Sequence, residues 1–436
     1  MRLTRRHVLA VVAASISGCQ TRFHGDGVSP TRSTAPEFDR TGTPLEAGMG
    51  PYRFSYQGPS GNRFVAGSGS LPGGEPVDVS LEVQPAWVVG VVGPPATNWV
   101  VAGEDGRIRV VTVRDRATHS VESRPTSLPA GMPPVVRAGV DGPDLLAPPP
   151  DASPHSTPLP VGDGSVLFVD HSGDIGTWDG GSVTDRLAVG ALPDARLIRF
   201  GSERVLALTS ATDRYDHGVL GDAIEARRLT MIDSSDGLSV EWHTTVPGVI
   251  EGQAPIMAPL SGSRSIIVTV SNASHGARIV AFGPNGQRLA TGPPIGSGFR
   301  WRHQLAVAPF TPNGPSEVAV VRTPHIGGTI EFYRRDGNRL VITATLDGYA
   351  SHEIGSRNLD AAVAGDFDGD RIPEIVLPRT DHRTLAGVRR DGENAREAWT
   401  LDIGGRLSSN LAAIPGPDGG LALAVGRQDG TLRVWR

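Results

Sequence analysis

The stretch VAGDFDGDRIPEIVLPRTDHRTLAGVRRDG, Val363–Gly392, decides how the chain is read, because AVAPFTPNGPSEVAVVRTPHIGGTIEFYRRDG, Ala306–Gly337, lines up with it. Each copy opens on a short apolar run, passes through a Gly- or Pro-bearing loop and returns as an apolar strand that ends at an arginine, Arg322 or Arg379. A loop carrying His325 or His382 follows, then a strand running into Arg-Asp-Gly. Short apolar runs bounded by turn residues are the pattern of buried strands, and Asp-Gly favours a tight hairpin turn. Internal duplication of a strand-and-turn unit is the simplest account.

Working outward, a shorter signature recurs: an apolar residue, two variable ones, then an apolar or aromatic residue. It falls at Ile108–Val111, Ile175–Trp178, Leu229–Ile232, Ile279–Phe282, Ile330–Tyr333, Leu385–Val388 and Leu432–Trp435. The interval is about 50 residues, the length of a four-stranded propeller blade, which buries its faces only when neighbours stack on it. The expected fold is therefore all-β, a seven-bladed β-propeller of four-stranded antiparallel blades. Because the sequence stops after a third strand, an N-terminal strand at Val77–Val83 is expected to complete the last blade and remove its open edge. The propeller is expected over 51–436, with a Pro-rich surface insertion at about 125–160.

Composition agrees. The 436 residues include 56 Gly and 36 Pro without a collagen period, and no segment shows sustained helical periodicity. A formal charge of -5 argues against a nucleic-acid partner. Cys19 is the only cysteine, so no disulfide can form within the chain.

Residues 1–18 combine Arg2, Arg5 and Arg6 with a modest apolar run and small residues before Cys19. The run is shorter than the ~20 apolar residues a spanning helix needs, and it reads as a processed leader. Thr4–Leu9 resembles the twin-arginine export signal, and Ile16-Ser17-Gly18-Cys19 resembles the lipobox of bacterial lipoproteins. The resemblance implies export of folded protein, lipidation at Cys19 and a place on the cell envelope, in the periplasm, at the outer membrane or on the cell surface. Residues 19–50, rich in Thr, Pro, Gly and Ser, are expected to form a flexible tether.

Asp366-Phe-Asp-Gly-Asp-Arg-Ile-Pro-Glu374 places carboxylates at alternate positions, a spacing that aims several oxygens at one hard cation. Asp366, Asp368 and Asp370 are candidate side-chain ligands for calcium, Ile372 a carbonyl ligand, and Glu374 the residue that closes the shell. Ala364–Asp370 followed by Glu374-Ile375-Val376 resembles the FG-GAP (VCBS-type) repeat, the calcium-loop blade of integrin-like propellers. Leu229–Gly237 followed by Trp242 is distantly similar to blades of quinone-binding propellers. The calcium is expected to be structural.

In a propeller, loops between second and third strands, and those leading into the next inner strand, open on one face. His171, His217, His275, His325 and His382 precede third strands, while His303 and His352 lie in the inward connections. Arg322, Arg379 and Arg427 end second strands nearby. Such a face suits a ligand bearing carboxylate or phosphate groups, and its imidazoles are candidates to hold a transition metal. The longest loop, Ser210–Glu225, is a candidate lid. No catalytic signature is present. The leading reading is a non-catalytic binding propeller for a glycan, peptidoglycan fragment or protein partner of the envelope. The alternative is an enzyme such as a metal-dependent polysaccharide lyase working through the histidines.

Overall fold

The computed structural model describes residues 51–436, apart from Pro94, Val140, Asp141, Asp163 and Pro417. The leader, Cys19 and the tether lie outside the described residues. Every regular element among the described residues is a β-strand.

The strands form antiparallel meanders in chain order. Four run between Pro85 and Ser123, and four between Leu159 and Ala188. A sheet of eleven strands spans Ile198 to Tyr349. Val363–Asp366, Glu374–Pro378, Thr384–Asp391 and Asn394–Asp402 form the next, joined at its inner edge by the parallel strand Phe64–Ser68. Three strands between Leu407 and Trp435 take Val77–Ser80 as a fourth, Val77 facing Val434 and Ser80 facing Thr431. The N-terminal strand thus covers the C-terminal edge.

The eleven-stranded sheet departs from the expectation of separate units. Ser239–Leu260 is one strand of 22 residues. Its residues 239–245 close one meander against Glu225–Asp233, and from Val249 the strand pairs with Ser263–Asn272 of the next, with a register break between Glu251 and Ile256. Ile250 faces Ala226 on one side and Val270 on the other. The intervening residues stay extended instead of looping out. A single parallel bridge, Thr291 to Arg339, joins the following two meanders.

Apolar faces of successive meanders pack on one another in cyclic order. Val307, Val318 and Tyr333 meet Ile279 and Ala281 of the preceding meander, while Ile330 and Phe332 face Ile375 and Val388 of the following one. The last sheet closes the circle, because Leu432 and Val434 pack with Val88, Trp99 and Val111 of the first. Serial antiparallel sheets stacked face to face into a closed ring are the architecture of a β-propeller. Hairpin turns mark its rim, with Gly286, Gly337 and Gly392 at φ of 75°, 59° and 59°, a conformation glycine adopts without steric cost. In the Pro-rich insertion, Val136–Gly139 and Gly142–Leu145 form a hairpin that pairs with Tyr52–Arg53.

The sequence reading gives Pro51–Pro76 no special role, yet residues 55–63 of this segment run along the axis of the ring. Asn410 donates to the Ser55 carbonyl at 3.2 Å, Arg199 N–H to Pro59 at 2.8 Å and Met257 N–H to Ser60 at 2.9 Å. Val307 N–H donates to the Asn62 side chain at 2.8 Å, and Ala364 N–H to the Arg63 carbonyl at 2.7 Å. Each donor belongs to the inner strand of a different meander. Gly61, at φ 74°, allows the closest approach, for a Cβ there would lie 2.6 Å from the Pro255 carbonyl.

A buried charge cluster fixes the segment. Asp360 has no exposed surface and accepts from Arg63 Nε at 3.0 Å, Arg196 Nη1 at 2.7 Å and Ser55 Oγ at 2.7 Å. Burial alone pushes its carboxyl up, but the guanidinium groups of Arg196 and Arg63 outweigh it and hold the group at about 2. Asp360→Asn leaves two buried cations without their counter-charge, and is expected to cost about 3–5 kcal/mol in urea unfolding. Because the folded carboxyl lies below its ordinary value, its contribution is complete above about pH 4 and is lost as pH falls toward 2. The variant should therefore lose less stability than the parent over that window; equal acid slopes would count against the assignment.

Candidate functional site

Two groups of side chains stand out, and alternation of loops in an antiparallel meander puts them on opposite faces of the ring. The acidic loop joins a first strand, Val363–Asp366, to a second, Glu374–Pro378. Its carboxylates are held by the loop's own backbone. Gly369 N–H donates to Asp366 Oδ1 at 2.9 Å, Asp370 N–H to Asp368 Oδ1 at 3.1 Å, and Ile372 N–H to Asp370 Oδ1 at 2.9 Å. Phe367 N–H donates to Glu374 Oε2 at 2.9 Å. One oxygen from each of Asp366, Asp368, Asp370 and Glu374 lies within 4.8 Å of the others, the one such group of metal-binding side chains among the described residues.

Glu374 is fully buried and its Oε1 has no partner among the described residues. Burial, together with the neighbouring charges of Asp368 and Asp366, pushes its carboxyl up to about 9. The guanidinium of Arg389 meets Asp370 and approaches Asp368 at 4.0 Å. An all-oxygen set with one buried, unpartnered carboxylate oxygen fits a hard divalent cation such as calcium. The loop also carries the strand that leaves the axis: Gly69 N–H donates to the Asp366 carbonyl at 2.6 Å and Leu71 N–H to that of Phe367 at 3.0 Å.

On the other face the histidines form a chain of rings. His217 and His325 stand 6.1 Å apart, and His325 and His352 5.8 Å apart. Trp301 packs on both His352 and His303, at 5.2 and 4.9 Å. Phe299 and Tyr215 extend the chain outward from His217. His303 lies in the core, its Nδ1 2.9 Å from Ser351 Oγ. Burial pushes the imidazoles down: His352 to about 4, His303 well below its ordinary value with the charge of Arg63 adding to the effect, and His325 in the same direction with help from His217.

The remaining candidates lie apart from this chain. His382 shares a small cleft with His352, and burial lowers it too, with Arg406 adding. His171 is exposed, and its charge bears on His155. His275 borders a separate slot. The three second-strand arginines are held by ion pairs: Arg322 with Glu331 at 3.4 Å, Arg379 with Glu397 at 2.5 Å, and Arg427 with Asp78 at 3.0 Å and with Asp429.

Sequence reasoning missed the acidic floor beside His217. Glu251 lies 2.6 Å from His217 Nδ1 and also accepts from Ser271. Asp194, Glu225 and Glu251 are buried. Burial and then the charge of Asp222 raise Asp194 to about 6, while burial and then Glu251 raise Glu225. The available signal was an acidic residue inside an apolar run, as in Ile224-Glu225-Ala226 and Ile250-Glu251-Gly252. The Ser210–Glu225 loop is anchored above by Arg357 to Asp222 at 2.6 Å and by Gly355 N–H to the Val219 carbonyl at 2.8 Å. Around this mouth Ile326 and Ile354 are 66% and 62% exposed, and Phe299 and Ile224 are exposed as well.

No family model matches the chain, and no curated protein is significantly similar to it. Among solved structures, BamB from Moraxella catarrhalis is 12% identical, with a TM-score of 0.40, over 83% of this chain and 96% of that one. The Swd1 β-propeller domain from Myceliophteria thermophila is 10% identical, TM-score 0.44, over 81% and 96%. BBS1N, solved in complex with ARL6DN, is 11% identical, TM-score 0.37, over 82% and 96%.

Calcium at 100 times its dissociation constant is expected to stabilise the chain by about 2.7 kcal/mol, read as a rise in melting temperature. Asp368→Asn combined with Asp370→Asn should abolish that rise and the binding of one ion per chain in equilibrium dialysis. A melting temperature indifferent to calcium would argue against the site.

Proposed function

We propose that this chain is a lipid-anchored, extracytoplasmic binding scaffold: a seven-bladed propeller, stabilised by calcium at an FG-GAP-type loop, that docks a protein partner on its histidine-bearing face. The observation that carries the reading is the ring of exposed Phe299, Ile326, Ile354 and Ile224 around a mouth with a hydrogen-bonded floor. Exposed apolar side chains gathered at one place mark protein docking sites, and aliphatic groups suit a polypeptide better than a glycan or peptidoglycan fragment. The filled axis leaves a floored dish, a shape that takes a partner's surface or a protruding loop. The seven-blade count rests on treating the eleven-stranded sheet as three meanders joined by the Ser239–Leu260 strand and the Thr291 bridge.

The enzyme reading has less behind it, because the histidine rings follow one another along a chain at tilted and edge-on angles and their ligand atoms do not gather as a trio within 4.8 Å among the described residues.

A photo-crosslinking residue at Ile326 of the full chain in its native envelope should trap a discrete protein adduct, and Phe299→Asp with Ile354→Asp should reduce the yield at least tenfold without changing the melting temperature. Adducts that persist in the double variant, or none at all, would reject the docking face. Lipidation has a separate test. Cys19→Ser should move the protein from the membrane fraction to the soluble fraction and remove acyl labelling; retention in membranes would contradict the anchor.

A further inference from the structure

His275 has no part in the mouth, and the strand that follows it suggests why. In Arg278-Ile-Val-Ala-Phe282 side chains alternate, so Ile279 and Ala281 pack toward the following meander while Val280 and Phe282 face the preceding one. Arg278 shares the face of Val280 and Phe282. On that side the seam between the meanders is not closed. The turn at Gly286 is tied to the opposite wall, where Thr244 Oγ donates to its carbonyl at 2.8 Å. Above this tie the two sheets diverge into a slot of about 420 Å³ with Val246, Val270, Val280 and Phe282 among its lining.

The slot is one-sided in charge. Arg278 and Arg288 line it together with His275 and Asn272, and no Asp or Glu does. The side chains of Arg278 and Arg288 make no ion pair or hydrogen bond among the described residues. They contrast with Arg322, Arg379 and Arg427, each paired within its sheet. Arg278 is half-buried beside the apolar lining, where a guanidinium without a counter-ion binds an anion more strongly than in open water. The polar groups are also segregated. Val270 faces Arg278 and Phe282 faces Arg288 across the strand pairings, which places Arg278, with His275 and Asn272, at one end of the slot and Arg288 at the other. A cavity of this size, largely apolar with a few placed donors, three of them at the Arg278 end and Arg288 at the other, matches the usual make-up of a small-molecule site.

We propose that this slot binds a small amphiphilic anion, with its carboxylate held by Arg278 and His275 and its apolar chain lying over Val270, Val280 and Phe282. The arginine supplies two parallel N–H donors to the carboxylate, and the imidazole adds a third. The site lies on a seam apart from the mouth and requires no partner there.

The probe is decanoate, titrated calorimetrically into the full chain carrying Cys19→Ser, so that no acyl anchor competes for the slot. One equivalent should bind saturably. Arg278→Gln should weaken binding at least tenfold, and His275→Ala several-fold, with melting temperatures unchanged. Decanol and decyltrimethylammonium, which share the chain but not the carboxylate, should bind at least tenfold more weakly than decanoate. Arg288→Gln should leave decanoate affinity within about twofold. Thr245→Trp, placed on the exposed wall, should block binding without touching the cation end. The proposal falls if decanoate fails to bind at millimolar concentration, if Arg278→Gln binds it as the parent does, if decanol binds equally well, or if only Arg288→Gln weakens it.

Discussion

A ring of sheets has a hole, and the buried pairing of Asp360 with Arg63 and Arg196 is what allows this ring to fill its own. Inner strands of a propeller expose backbone groups to the axis, and each must find a partner. Here the partner is the chain itself, running through residues 55–64 and bonding to one inner strand after another. Tyr56 is buried in the core and Phe64 packs at its edge, but the residues between them are polar, Gly or Pro and have little apolar surface to bury. A carboxylate with no exposed surface, facing one arginine from the segment and one from the ring, supplies the specificity that packing cannot. Removing one member strands the others in low dielectric, and the arrangement therefore favours one threading of the axis over any other.

This also explains what was legible in the sequence. The blades were, because strand alternation and turn chemistry are local: the Arg-Asp-Gly turns at Gly337 and Gly392 and the apolar runs at Val318–Val321 and Ile375–Leu377 carry their own evidence. The strand at Val77 was legible for the same reason. The segment of residues 55–63 was not, since a stretch that bonds to five different strands, through four backbone carbonyls and the Asn62 side chain, has no periodicity to read. The second-strand arginines show another limit. Their positions follow from the repeat, but Glu331, Glu397 and Asp78, which hold them, come from other strands of the same sheets, and pairing across strands leaves no trace at the arginine itself. The fusion of three meanders into one sheet was hidden in the same way, in a connection that could loop out but stays extended.

Charge at the mouth follows from burial more than from composition. Asp194 and Glu225 are pushed up, and His303, His325 and His352 are pushed down, so acids and bases both move toward their neutral forms. Burial thus weakens the charge of these groups, and the floor presents hydrogen-bonding side chains and rings that meet at tilted and edge-on angles. A floor of that kind exerts little long-range pull on a charged ligand. It does reward a partner that arrives by shape, covering Ile326 and Ile354 and matching donors to acceptors below.

The two faces are joined through one stretch of chain. After leaving the axis at Arg63, the chain pairs in parallel with Val363–Asp366 and then bonds to the carbonyls of Asp366 and Phe367 at the acidic loop. Gly369 is confined by the same contact, since a Cβ there would lie 2.6 Å from the Gly69 carbonyl. A cation drawing Asp366, Asp368, Asp370 and Glu374 together would tighten the ledge on which this strap rests, and the strap in turn holds the axial segment under the histidine mouth. The acidic loop on one face and the axial segment are thus tied to one continuous stretch of chain, residues 55–71.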